Sequence, residues 1–158
     1  MANVTKKRIT KAQQLTSPYG NKFAQAFNYT TNASGVLVDS DQATAVQVND
    51  VVRLGVLPAG LELHDALAIV SDAFAATTTA DIGFLYVDGA DSSAVPQDAA
   101  YFFAALNTAA TGRARATAAK APVRLPKDAF LVLTRKGAAD SAVGIVDVLV
   151  DAVLQGAA

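Results

Sequence analysis

Val51-Val52-Arg53-Leu54-Gly55-Val56-Leu57-Pro58-Ala59-Gly60-Leu61-Glu62-Leu63-His64-Asp65-Ala66-Leu67-Ala68-Ile69-Val70 reads as two strands joined by one tight corner. Aliphatic and β-branched residues fill both limbs, which suits a pleated, half-buried surface. At the corner Pro58 presets φ and Gly60 can take positive φ, so the chain reverses there without strain. In the second limb Leu61, Leu63, Leu67 and Ile69 share one parity, with Asp65 as the exception, while Glu62 and His64 lie on the other. Alternation of that kind predicts one face in the core and one in water.

The flanking sequence repeats the pattern. Asn49 and Asp50 make a turn before Val51, and the short apolar runs Gly35 to Val38 and Thr44 to Val48 predict a hairpin around Asp39 and Asp41. Phe23, Phe27 and Tyr29 fall on one parity, which predicts a first strand there. Downstream, Thr77-Thr78-Thr79 leads into a strand ending near Val87, and Asp88 to Ser93 reads as an exposed loop. Pro96 to Ala110 departs from this: Tyr101, Phe102, Ala105, Leu106 and Ala109 recur at threes and fours behind Asp98, which predicts one short helix. Leu125-Pro126-Lys127-Asp128 then turns into a strand from Ala129 to Thr134, an echo of Leu57-Pro58-Ala59-Gly60. From Gly144 to Leu154, Val146, Val148, Val150 and Leu154 alternate with Asp147 and Asp151, a last strand with one wet face. Many short strands at this spacing predict a mainly β fold, a jelly-roll-like sandwich or barrel with one short helix and an extended N-terminal arm.

The arm is defined by charge. The first 38 residues carry Lys6, Lys7, Arg8, Lys11 and Lys22 and no acid; the rest hold 8 Lys and Arg against 14 acids. Residues 1–22 are therefore expected to form a basic arm and residues 23–158 a single β domain, with Lys6, Lys7, Arg8, Lys11, Tyr19, Lys22 and Phe23 as candidate partner-binding residues. Thirteen of the 14 acids are Asp, with Glu62 the exception, which again favours turns over helices.

Composition removes much chemistry. At 158 residues, 52% hydrophobic and 17% charged, the chain suits one domain with a buried core. It contains no Cys and one His, which excludes disulfides, thiolate metal sites, Cys nucleophiles and most His-based catalysis within a chain. No apolar run approaches membrane-spanning length and no signal peptide is visible, so a soluble, unprocessed protein with no membrane partner is expected. His64 reads as a polar-face residue beside Glu62. Neither Asp39 with Asp41 nor Asp88 with Asp91 has the spacing of a calcium loop, and Asp147 and Asp151 read as a solvent face. No enzyme and no cofactor are expected.

The segments Asn49 to Gly60, Asp65 to Val70, Thr77 to Gly83 and Leu125 to Thr134 resemble the capsid decoration or cement proteins of tailed bacteriophages. That resemblance spans roughly residues 44–150 and implies a jelly-roll-like domain, a homo-oligomer (dimer or trimer), and a place in the virion. There it would clamp neighbouring major capsid protein subunits on the outer capsid surface. Three other readings stand beside it. A nucleic-acid protein would use the basic arm, a reading the chain's net charge of −1 disfavours. A tail or receptor-binding β-module would bind carbohydrate near the 88–93 loop, without any Trp. A hydrolase would need paired carboxylates.

Overall fold

A computed structural model of the chain describes residues 1–5 and 21–155. Ten strands order as β1 (Asn3–Thr5), β2 (Lys22–Thr31), β3 (Val51–Leu57), β4 (Leu61–Asp72), β5 (Thr79–Tyr86), β6 (Asp98–Asn107), β7 (Gly112–Arg115), β8 (Val123–Arg124), β9 (Ala129–Lys136) and β10 (Gly144–Leu154). They form two five-stranded layers. The first sheet runs β1-β3-β9-β5-β6; the second runs β2-β10-β4-β7, with β8 also beside β4. The fold is the expected jelly-roll-like sandwich, open at its edges and not a closed barrel.

Sequence explains how the chain moves between layers. Gly60 takes φ of 80°, and the Leu61 N–H donates to Pro58 O at 3.3 Å, so the Pro58–Gly60 corner passes β3 of the first sheet into β4 of the second. The 125–128 corner returns from β8 to β9. The two corners lie side by side: the Gly60 N–H donates to Leu125 O at 2.8 Å, the Leu125 N–H to Leu61 O at 2.9 Å, and the Ala59 N–H to an Asp128 carboxylate oxygen at 2.8 Å. The repeated Leu-Pro pattern thus marks two sheet-switching turns that hydrogen-bond to each other.

Between the layers, Phe23, Phe27 and Tyr29 from β2 and Val146, Val148 and Val150 from β10 meet Leu131, Leu133, Ile82 and Phe84 of the first sheet. The predicted parities of β2 and β10 hold. In β4 the predicted parity holds only for Leu61 and Leu63. Asp151 pairs with Asp65 and Ala152 with Leu63, which leaves His64 as an extra residue, and beyond that bulge Ala66, Ala68 and Val70 face the core while Leu67 and Ile69 face out. A single inserted residue exchanges the faces.

The expected helix is a strand. No helix occurs among the described residues, and Asp98–Asn107 forms the edge strand β6. Ala80 pairs with Leu106 and Ile82 with Phe103, so Ala104 and Ala105 bulge opposite Asp81. The Asp81 carboxylate accepts the Ala105 N–H at 2.8 Å, with Ala105 at φ of 54°. This bulge breaks the two-residue period and spaces the apolar side chains as a helix would. The hairpin expected between Gly35 and Val48 is reduced to isolated bridges, Val36 to Ala45 and Thr31 to Leu37. Asn3–Thr5, expected in the arm, pairs in parallel with β3.

At one end of the sandwich a charged pair lies fully inside. Arg135, 0% exposed at the end of β9, donates from Nε to Asp140 Oδ2 at 3.2 Å and from Nη1 to Thr108 Oγ1 at 2.8 Å. Its Nη2 stands 3.1 Å from the same Asp140 oxygen without hydrogen-bond alignment. The guanidinium lies 4.7 Å from the Phe74 ring centre and 5.2 Å from that of Tyr29, whose hydroxyl donates to Asp140 Oδ2. Burial pushes the Tyr29 phenol far up, keeping it a donor, and pushes the Asp140 carboxyl up against the pull of Arg135.

Removing one member leaves a buried charge unpaired, so Asp140→Ala is expected to lower unfolding free energy by about 3–5 kcal/mol in urea titration, and Arg135→Met in the same chain to restore most of it. At Gly83 an added Cβ would stand 2.1 Å from Asp98 O, so Gly83→Ala is expected to cost about 1–3 kcal/mol and to speed amide exchange in β6.

Candidate functional site

Short acids hold the surface of this fold in place. Asp41 accepts the Thr5 N–H at 2.9 Å, Asp50 the Ala2 N–H at 2.8 Å, Asp88 the Ala90 N–H at 3.0 Å and Asp91 the Gln97 N–H at 2.8 Å. Asp reaches back to the main chain at such turns, which accounts for its near-exclusive use here over Glu. Of the two acid pairs weighed as calcium ligands, Asp41, Asp88 and Asp91 are occupied in this way. Among the described residues no group of three or more His, Cys, Asp or Glu side chains is placed to hold one ion.

Basic residues of the body are likewise committed. Arg115 donates from Nε to Asp65 at 2.9 Å, Lys120 lies 2.9 Å from Asp98, Lys127 2.8 Å from Asp88 and Lys22 3.1 Å from Asp151. Arg53 lies over the Phe130 ring at 4.7 Å. Hydrogen bonding from Lys127 holds the Asp88 carboxyl below its ordinary range. For Asp98, burial pushes upward, and the hydrogen bonds from Lys120 and the Ala100 N–H outweigh it to leave that carboxyl lowered. Arg115 and Lys120, two of the basic residues between 113 and 124, are thus each paired with a carboxylate. His64 Nε2 stands 2.8 Å from Glu62 on the wet side of β4, as the sequence predicts.

What the body does offer is the outer face of the second sheet. Register sets Ala26, Leu149 and Leu67 in one row and Asn28, Asp147, Ile69 and Arg113 in the next. Ile145 and Val153 extend the apolar positions along β10, and Leu149 is 37% exposed. Leu67 and Ile69 were assigned to the core from parity; the β4 bulge is what brings them here. Beside this face runs the edge strand β2.

The predicted partner-binding residues separate. Lys6, Lys7, Arg8, Lys11 and Tyr19 lie outside the described residues. Lys22 opens β2 and points outward, whereas Phe23, the next residue, is 7% exposed and packs into its own core. By sequence, the segment carrying the four basic residues links β1 at the edge of the first sheet to β2 at the edge of the second. The loop proposed for carbohydrate lacks an aromatic platform: the Tyr86 hydroxyl donates to Val95 O at 2.5 Å and Lys127 covers its ring at 4.6 Å.

Solved structures share this whole architecture. A chain in the capsid of Ralstonia phage GP4 superposes with a TM-score of 0.65 at 19% identity, covering 99% of this chain and 100% of that one. The chain shares the fold of a phage capsid component. A chain in the capsid asymmetric unit of cyanophage Pam1 superposes with a TM-score of 0.57 at 18% identity, covering 92% and 96%. No protein-family model matches the sequence, and no curated protein does. Both superpositions run over nearly the full length of each chain, so the likeness is one of the whole fold.

Proposed function

We propose that this protein is a structural virion component that binds the outer surface of a tailed-phage capsid and staples neighbouring major capsid subunits. The observation that supports this most is the end-to-end likeness of fold to chains from two phage capsids. The surface chemistry agrees with adhesion. Many acids and bases of the body are tied to turns and to one another, the second sheet presents a half-apolar outer face, and the sequence supplies a cationic segment between β1 and β2.

Magnitudes decide how the parts divide the work. An exposed ion pair contributes only about 0–1 kcal/mol, so Lys6, Lys7, Arg8, Lys11 and Lys22 act in register and attraction more than in holding strength. Burial of Leu149, Leu67 and Ile69 supplies the remainder, at about 25 cal/mol for each Å² covered. Once the body is docked, the segment binds as an intramolecular partner, and repetition on a lattice multiplies the effect.

The test is cosedimentation with capsids stripped of this protein. The full chain is expected to pellet with them; Lys6, Lys7, Arg8 and Lys11 changed together to Glu should weaken binding at least tenfold in moderate salt, and Leu149→Asp should weaken it while leaving stability unchanged. Failure of the unaltered chain to bind would contradict the proposal. So would tight, steeply salt-dependent binding to a labelled oligonucleotide, which belongs to the nucleic-acid reading.

A further inference from the structure

The second sheet ends on the short strand β7, at the side opposite β2, just as β6 ends the first sheet at the side opposite β1. The Ala116 N–H donates to Ala66 O at 2.8 Å, and the register continues with Ala114 opposite Ala68 and Gly112 opposite Val70. Main-chain groups alternate in such a ladder, so those of Gly112 and Ala114 face β4 and those of Arg113 and Arg115 face away. Thr117 has the parity of these two arginines, and its N–H donates away from β4, to Phe102 O of β6 at 3.1 Å. No strand pairs with β7 on that outer side, and among the described residues no loop hydrogen-bonds to the main chain of Arg113 or Arg115.

Between this edge and β6 opens a cleft of 330 Å³, lined by Ala68, Val70, Phe103, Leu106 and Ala114 among others. The first four are buried, so the cleft gives onto the core between the two layers. Ala114 packs on that core, and by alternation Arg113 and Arg115 project from the opposite, outer face. Among the described residues Arg113 enters no ion pair, and Arg115, whose side chain is 76% exposed, is held by Asp65. Three features therefore coincide within three residues: outward main-chain groups at Arg113 and Arg115, a cation beside each on the outer face, and an apolar cleft beside Ala114 on the inner one.

We propose that the β7 edge binds an extended segment of another protein in which acidic and apolar residues alternate, added as a further strand of the second sheet. Two acids of the incoming strand lie opposite Arg113 and Arg115 on the outer face. The apolar residue between them, opposite Ala114, points into the cleft. A second copy of β7 does not meet these requirements: antiparallel pairing about Ala114 would set Arg113 directly opposite Arg115 of the second copy, like charge against like. The inference goes beyond attachment to a capsid and is tested without one.

The test titrates the isotope-labelled full-length protein with the peptide acetyl-Asp-Leu-Asp-Leu-Asp-amide while amide NMR shifts are followed. Shifts are expected at Arg113 and Arg115, and at Phe103 and Leu106 across the cleft, by about 1 mM peptide. The counterpart with Lys in place of each Asp should bind about tenfold more weakly, and Arg113→Glu combined with Arg115→Glu should reverse that order. Arg113→Pro removes an outward N–H and leaves the bonds to β4 in place; it should weaken the acidic peptide about tenfold, whereas Arg113→Lys should keep most of the binding. No shift at about 1 mM peptide, shifts confined to β2 and β10, equal binding of the two peptides, or acidic-peptide binding unchanged in Arg113→Pro or in the double Glu variant would each overturn the proposal.

Discussion

Arg135 and Asp140 form an ion pair with no access to water, and the ends of the two sheets are organised around it. A buried pair of this type is costly to desolvate and gains its place only when hydrogen bonds and packing satisfy the charges from several sides. Here the partners come from separated parts of the chain: Tyr29 on an edge strand of the second sheet, Thr108 beyond β6, and Phe74 beyond β4. Arg135 itself is the penultimate residue of β9, which is central in the first sheet. Through Tyr29 the pair fixes the upper end of β2 against the opposite layer. Neighbouring glycines fit the same arrangement, since a Cβ on Gly144 would stand 2.2 Å from the Phe74 ring and one on Gly35 would stand 2.1 Å from Asp140 O.

A rigid β2 matters because the exposed features of the protein meet along it. Its outward side chains belong to the apolar and acidic outer face, it is the terminal strand of the second sheet among the described residues, and in sequence it follows the basic segment. Adhesive function requires that kind of preorganisation, since every side chain already ordered is one whose freedom is not lost on docking. Local Asp-to-backbone bonds have the same consequence elsewhere. They fix turns cheaply and withdraw carboxylates from metal binding or catalysis.

How much of this was legible in the sequence differs by element. The β class, the strand parities of β2 and β10, the Pro58–Gly60 corner and its counterpart at Leu125 could be read directly, because each depends on local φ preference or on unbroken alternation. The β6 strand and the outer half of β4 could not. In both, inserted residues shift the phase, and a bulge carries no composition signal that distinguishes it from a helical period. The buried pair was hidden for another reason: Arg135 follows an apolar run and Asp140 lies in a loop, so each reads as a surface charge until the fold brings them together. Of the candidate site, the basic segment was legible as charge alone, while the apolar row of Leu67 and Leu149 depends on the β4 bulge.

The central claim is that this chain acts by covering a shell in many copies. Quantitative mass spectrometry of purified virions, with this chain measured against the major capsid protein, tests it most directly. The account predicts abundance in fixed proportion to the capsid lattice, with shells losing mechanical or thermal resistance when the chain is stripped away. Presence in only a handful of copies per particle, or absence from the mature virion, would contradict it.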